Sequence, residues 1–425
     1  MQIFSSARLL RNSKTTLFST IFITTIFLQG CAHLNAPSPY PPLPSSLEAQ
    51  AQIPGIPNVR GWGDEYSKTL ELDAAQSFHQ EITYTHGYIT PVINGLVLSG
   101  GGGDGAFGAG LLCGWTQSGT RPEFKVVTGI STGALMATFA FLGPKYDSVL
   151  RMAYTNVSDQ DIYQEHSKFA IILSLANIRP LPSVADNKPL AHLIAKLITP
   201  QVLADVANEQ RKGRRLLVGT TQLYAQRLVV WDMTTIAASG SPQALDLFRQ
   251  VLLASASIPV SFPPQFITVE AGGRNYSEMH VDGGVEAELM LFENALEPFS
   301  VQRKRLNGHQ RTLKLFIIRN QKVYPSWEDT KPQLKYIAMR AIDSLIKSQG
   351  VADIYRLYAY AERDNLDYNL AYIPPDFNMT SPTEFDNNYM RQLFNRGYQL
   401  GLTGNPWHKY PPGFEPSSVA NISTR

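Results

Sequence analysis

Three stretches of this 425-residue chain set a reactive side chain or a run of bare amides among glycines. The first centres on Ser131, in Gly129-Ile130-Ser131-Thr132-Gly133. An apolar run ends there, and an Ala/Leu/Met-rich helical pattern starts at once. Strand, sharp turn and helix are the context in which Gly-x-Ser-x-Gly becomes a nucleophile elbow. The helix would turn its N-terminal amides and positive dipole end toward the serine, favouring anionic charge beside it. The second stretch is Gly100-Gly101-Gly102-Gly103-Asp104-Gly105, after a short apolar strand and before an Ala/Gly/Leu-rich helix. Consecutive glycines let backbone N–H groups converge into an anion-binding nest. Gly100, Gly102 and Gly105 also satisfy Gly-x-Gly-x-x-Gly. A phosphate cradle for a dinucleotide and an oxyanion hole therefore both remain open for this loop. The third stretch is Asp282-Gly283-Gly284, whose glycines allow a sharp turn that leaves the aspartate unshielded. By itself it fits an ordinary Asp-Gly hairpin equally well.

The elements that must position these residues read as an α/β fold. Two successive strands, one from about Ile93 and one from Phe124 to Thr128, end in two glycine turns, each opening a helix. In a parallel sheet both turns lie at the carboxyl ends of strands, where ligands bind. One turn offers amides and the other a hydroxyl, which suits acyl transfer better than dinucleotide binding. Glu123 stands near the distance of a ribose-binding acid, but it precedes a strand instead of ending one. Further strands are expected in Arg214–Met233 and Thr312–Asn320. A long helix over about Pro332–Ala361 would bury Leu334, Ile337, Ala341, Leu345 and Ile354 on one face, and a final helix would dock through Phe385, Tyr389, Leu393 and Phe394. His166 and His192 lack a neighbour at metal-ligand spacing, and no metal or other cofactor is expected. A Ser-acid-His order would need His309 or His408, neither of which follows a strand with loop signals. His280 is expected to pack beside Asp282 without acting.

At 44% hydrophobic and 17% charged residues the chain has globular composition, and a net charge of +2 without a basic aromatic-laced stripe argues against nucleic-acid binding. Arg8, Arg11 and Lys14 precede an apolar run from Leu17 to Leu28, then Gln29-Gly30-Cys31. That run is shorter than the roughly 20 residues of a spanning helix and fits a secretory signal. Leu28 and Gly30 before Cys31 resemble the bacterial lipobox, which implies cleavage before Cys31 and its acylation. Loss of the signal would take the net charge from +2 to −1. Acylation would leave Cys113 without a disulfide partner. Residues 32 to about 60 are rich in Pro, Ser and Ala, and read as an extended tether with no core, ending in a proline-rich stretch on the domain surface.

Taken together, the glycine loop, Gly129–Gly133 and Asp282-Gly283-Gly284 resemble the patatin-like phospholipase family, whose signatures occur in this order. The pattern from Ala254-Ser255 to Phe262-Pro263-Pro264 is also similar. The signal and tether suggest a bacterial lipoprotein branch. The resemblance implies a three-layer sandwich with a central, mostly parallel sheet and helices on both faces. It also implies a Ser–Asp dyad, with Ser131 as nucleophile, Asp282 as proton acceptor and amides of Gly100–Gly103 as oxyanion hole, acting on lipid or acyl-ester substrates. The expected organisation is a signal at 1–30, anchor and tether at 31–92, a catalytic domain at 93–325 and a helical extension at 326–425. Ala32, where an inner-membrane lipoprotein would usually carry aspartate, places the expected anchor in the outer membrane. Asp104 stands where the family carries a basic residue, which argues against a strict preference for anionic headgroups. It also keeps open a non-catalytic lipoprotein that binds lipid or a partner. An aspartate of ordinary pKa, near 4, would be a weak base for such a dyad.

Overall fold

Alternation along the buried strands explains the layers. In β2 (Val92–Leu98), Leu96 and Leu98 face the main core while Ile93 and Val97 face a second cluster on the opposite side. Successive side chains of a strand point to opposite faces, so a strand apolar at both parities must be covered twice. The computed structural model describes residues 38–167, 170–171, 174, 181–291, 311–327 and 329–414. Cys31, the signal stretch and His309 lie outside them. Tyr40–Arg425 forms one compact unit by itself.

The strands of the main sheet are β1 (Arg60–Trp62), β2, β3 (Val126–Gly129), β4 (Arg215–Gln222), β5 (Arg227–Asp232), β6 (Gln265–Ala271), β7 (Arg274–Asp282), β8 (Thr312–Arg319) and β9 (Asp367–Tyr372). Neighbouring strands β4, β3, β2, β8 and β9 pair in parallel and form the centre. Antiparallel strands β5, β1, β7 and β6 extend from β4. The helices that matter for the site are α1 (Lys68–Tyr84), α2 (Gly105–Gln117), α3 (Thr132–Leu142), α4 (Ala244–Ser255), α5 (Leu334–Asp364) and α6 (Asn387–Leu402). α2, α3 and α4 pack on the main core, whereas Ile354, Leu357 and Ala361 of α5 cover the opposite face. The fold is thus the α/β layering expected, with a largely parallel central sheet between helices.

Three readings of the sequence change. First, the proline-rich stretch from about residue 40 does more than lie on the domain surface: it packs into the domain and bonds to the sheet edge. Leu43, Ile53, Ile56 and Val59 are buried, Leu43 N–H donates to Ser277 O (3.1 Å), and Gln52 exchanges backbone bonds with Glu270. Proline suits an edge strap because it needs no partner for a backbone N–H. Second, β9 and α6 belong to the same layers as the strands before residue 325, so the expected boundary there falls within one sheet. Third, Leu334, Ile337 and Leu345 of α5 are exposed at 84%, 53% and 70%, while Ile354 is buried. The amphipathic stripe is real, but its first three turns face outward.

Candidate active site

Register alone brings the serine and the aspartate to one place. Gly129, at the end of β3, pairs with Val218 of β4, and Asp282, at the end of β7, pairs with Thr220 of the same strand. Leu98 of β2 pairs with Gly129 from the other side, which puts the Gly100–Gly103 loop beside the same turn. Ser131 has φ 54° and ψ −127°. A non-glycine residue at positive φ carries strain that its surroundings must hold. Here Ser131 N–H donates to Ser255 Oγ (3.0 Å), and Ser255 Oγ donates to Gly219 O (2.7 Å). Close approach explains both glycines of the elbow. A Cβ on Gly129 would lie 2.4 Å from Gly133 O, and one on Gly133 would lie 2.5 Å from Ser99 O.

Asp282 is held by its own backbone. Its N–H donates to Ser257 O (2.9 Å), and its Oδ1 accepts from Gly284 N–H (2.7 Å). Gly283 packs against Gly219 O, so the turn cannot widen without moving β4. The second carboxylate oxygen, Oδ2, is buried and accepts no hydrogen bond among the described residues. Buried polar atoms are nearly always satisfied, so an orphan one calls for an explanation, and a catalytic role is one. Burial raises the Asp282 carboxyl to about 7; the Ser131 hydroxyl and the Gly284 amide pull it down, and the Glu288 charge pushes it up. A base with a pKa near the working pH is far better matched to a hydroxyl than an ordinary aspartate.

The glycine loop turns through Gly101 at φ 146° and Gly102 at φ 53°, which L side chains rarely adopt. Asn320, at the end of β8, ties its base to the helix behind it. Asn320 N–H donates to Ser99 Oγ and its Nδ2 to Ser99 O, each at 2.8 Å, and its Oδ1 accepts from Gly108 N–H (3.1 Å). A Cβ on Gly100 would lie 3.1 Å from Ser131 Cβ, so the loop flanks Ser131 directly. The N–H groups of Gly100, Gly101 and Gly102 reach no protein acceptor among the described residues. Gly105 fits tightly against Thr132 and Tyr154, joining α2 to the start of α3.

Several residues at the site carried no sequence signal. The Glu288 carboxylate would lie 3.0 Å from a Gly100 Cβ and 2.4 Å from a Gly284 Cβ. It pairs with buried Arg319 at 2.5 Å, and Asp353 Oδ2 accepts from the N–H groups of Glu288 (2.7 Å) and Leu289 (3.0 Å). Arg319 follows the buried apolar run Leu315–Ile318 in β8 and is itself fully buried, so its charge needs a buried acid as partner. Glu384 is an exposed residue whose carboxyl end turns inward; its Oε1 lies 1.9 Å from where a Gly102 Cβ would be. The Gly103 amide bonds to Glu384, yet burial of its carboxyl end and the Asp104 charge raise it to about 7. Asp104 itself accepts from Tyr389 Oη (2.6 Å), and burial lifts it to about 6. Beyond Thr132 an apolar cavity opens, lined by Leu135, Phe139, Leu193, Leu197, Phe385 and Met390.

Of the rival arrangements, those through His280, His408 and Glu123 can be compared with the described residues; His309 lies outside them. His280 is buried between Thr220 Oγ1 (2.9 Å) and Glu278 Oε2 (3.1 Å), and burial holds its pKa below the usual value. His408 stacks on Tyr372 at 4.8 Å and bonds through its backbone to Leu370 in β9. Glu123 precedes β3, so it lies at the opposite end of the parallel strands from the glycine loop and cannot serve a ribose there.

Residues 96–292, which contain the loop, Ser131 and Asp282, match the family model described as patatin-like phospholipase. Among solved structures, the chain is similar to VipD from Legionella pneumophila at 15% identity and a TM-score of 0.31, covering 74% of this chain and 67% of that one. It is also similar to a chain of full-length SpcU in complex with full-length ExoU, from the type III secretion system of Pseudomonas aeruginosa. That match has 14% identity and a TM-score of 0.27, and covers 74% of this chain and 52%, about half, of that one. No curated protein sequence matches the chain. Residues 96–292 of this chain are thus a domain of the patatin-like phospholipase type.

Proposed function

We propose that the protein is a serine acyl-ester hydrolase of lipid substrates, lipid-anchored through Cys31, that works through Ser131 and Asp282. The observation that carries this reading is the buried, unbonded Asp282 Oδ2 on a carboxyl raised to about 7, with the Ser131 hydroxyl as the strongest influence drawing it down. Ser131 Oγ attacks the ester carbonyl carbon while its proton passes to Asp282. The oxyanion that forms is held by amides of the Gly100–Gly103 loop and by the N-terminal end of α3. Collapse expels the alcohol, which takes the proton from Asp282. Water then attacks the acyl-serine and gives its proton to Asp282, the acid is released, and Ser131 recovers its proton. A single oxyanion donor is worth about 10²–10³ in rate, so the loop carries much of the acceleration. The apolar cavity behind Thr132 suits an acyl chain.

A second reading has one observation in its favour. With the Glu384 carboxyl at Gly102 and Asp104 next to it, an oxyanion would meet negative charge, which fits a binding protein on a hydrolase fold. Labelling by a fluorophosphonate probe separates the two. Under the hydrolase reading the adduct maps to Ser131, disappears in Ser131→Ala and forms at least about 100-fold more slowly in Asp282→Asn. A folded wild-type protein that takes no label would leave the binding reading standing.

A further inference from the structure

We propose that the outward half of α5 and the loop before it form a docking surface for an anionic lipid bilayer, set at the rim of the active site. α5 changes character along its length. Ile354, Leu357 and Ala361 are fully buried under the sheet, whereas Leu334, Ile337 and Leu345 stand in solvent on one stripe. The spacing of these three, with Ala341 between them, keeps one helical face apolar for about 16 Å. Just ahead of the helix, Trp327 is 96% exposed, and Tyr324 and Tyr336 are each 40% exposed. A tryptophan with nearly all its surface in water is expensive in a soluble domain and ordinary at a bilayer interface, where aromatic rings sit at headgroup level.

Charge selects the occupant. Residues 322–347 hold Lys322, Lys331, Lys335, Arg340 and Lys347 against Glu328, Asp329 and Asp343, a basic excess in a chain whose expected mature form is slightly acidic. Arg340 donates to Ser326 O (2.8 Å) and Lys347 to Tyr324 O, so two of these cations also clamp the aromatic loop onto the helix. Apolar anchors beside Lys and Arg are the make-up of a segment that lies in the plane of an anionic membrane. Among the described residues no single helix is long and apolar enough to cross one.

The same helix contacts residues that flank the candidate site. Gly350 abuts the Arg319 guanidinium that holds Glu288, and Asp353 binds the Glu288 and Leu289 amides. One turn or more toward the apolar end, the Asp343 charge acts on Glu384 at the glycine loop, and Met339 Sδ lies 3.9 Å from Ser261 Oγ. A bilayer seated on Trp327, Leu334, Ile337 and Leu345 therefore rests on the helix whose next turns hold Glu288 and Arg319 beside the glycine loop. The choice of a lipid over another apolar partner rests on the lipid-ester reading above; the surface itself does not.

The test uses the compact unit Tyr40–Arg425, so neither Cys31 nor the signal contributes. A variant with Trp327→Ser, Leu334→Ser, Ile337→Ser and Leu345→Ser alters exposed side chains, and its thermal transition verifies that it folds. In the Ser131→Ala background, cosedimentation with phosphatidylethanolamine/phosphatidylglycerol vesicles should exceed that with phosphatidylcholine vesicles. The four substitutions should weaken it at least about tenfold. With Ser131 intact, the variant should lose hydrolysis of vesicle phospholipid by a similar factor and keep hydrolysis of a dissolved short-chain nitrophenyl ester. Equal sedimentation of parent and variant overturns the proposal. So does a concentration-dependent dimer that the substitutions abolish, which would make the stripe a self-association surface. Failure to hydrolyse any ester would instead count against the function proposed above, because the sedimentation arm does not depend on turnover.

Discussion

At the scale of the residue, the site is an acid-rich pocket in which burial does most of the tuning. In the proposed dyad Asp282 must be ionised to accept the Ser131 proton, and its carboxyl is raised to about 7. The kcat/KM for a neutral ester should therefore rise with pH through a limb near 7, well above the range of an ordinary aspartate; a limb near 4 would show that Ser131 dominates the environment. The same shift has a stability consequence. A carboxyl whose folded pKa lies above its unfolded value favours the fold when protonated, and that contribution is lost as pH rises through about 7. Asp282→Asn should accordingly gain a few degrees in Tm over wild type at pH 8 and little at pH 5, read by differential scanning calorimetry. Glu384 makes the converse case. Its carboxyl lies over Gly102 and is bonded by Gly103, where an oxyanion would gather. Glu384→Gln should raise kcat/KM several-fold above pH 7, where the wild-type carboxyl is charged, and change it little at pH 5.

At the scale of the element, close backbone contacts decide what can be altered. α2 and α6 cross with glycines on both sides. A Cβ on Gly110 would lie 2.0 Å from Phe394 O, and one on Gly397 would lie 2.1 Å from Phe107 O. The two helices therefore meet main chain to main chain, and α2 carries the glycine loop at its N-terminus. Gly397→Leu should lower Tm by many degrees and abolish probe labelling of Ser131, although residue 397 is far along the chain from the serine. Ser255 belongs to the same scale, because α4 ends on it. Ser255→Ala removes the acceptor of the Ser131 N–H and the donor to Gly219 O, and should slow labelling by about tenfold to a hundredfold with the fold intact.

At the scale of the whole molecule, one sheet runs from β1 to β9, so neither the stretch from residue 40 nor the C-terminal quarter can be trimmed freely. A fragment of residues 93–325 lacks β1, β9 and α6 and should be recovered insoluble, whereas Tyr40–Arg425 should melt in one transition. Where the protein sits in the cell is a separate question. If Cys31 is the anchor, labelled palmitate will enter the full chain in a bacterial host and be absent from Cys31→Ser. The sequence by itself determined the three motifs, their order and the strand-turn-helix setting of two of them. Those are local properties, written in glycine spacing and in the switch from apolar run to helical pattern. It also carried the apolar stripe of α5, but periodicity reports that a face is apolar, not whether anything covers it. Folding in three dimensions leaves the first turns of that stripe bare, straps residues 40–60 to the sheet, and brings Glu384 and the Arg319-paired Glu288 to the glycine loop. Each of those depends on a register or a contact between segments far apart in the chain, and burial in a shared interior is what shifts the carboxyls on which the chemistry turns.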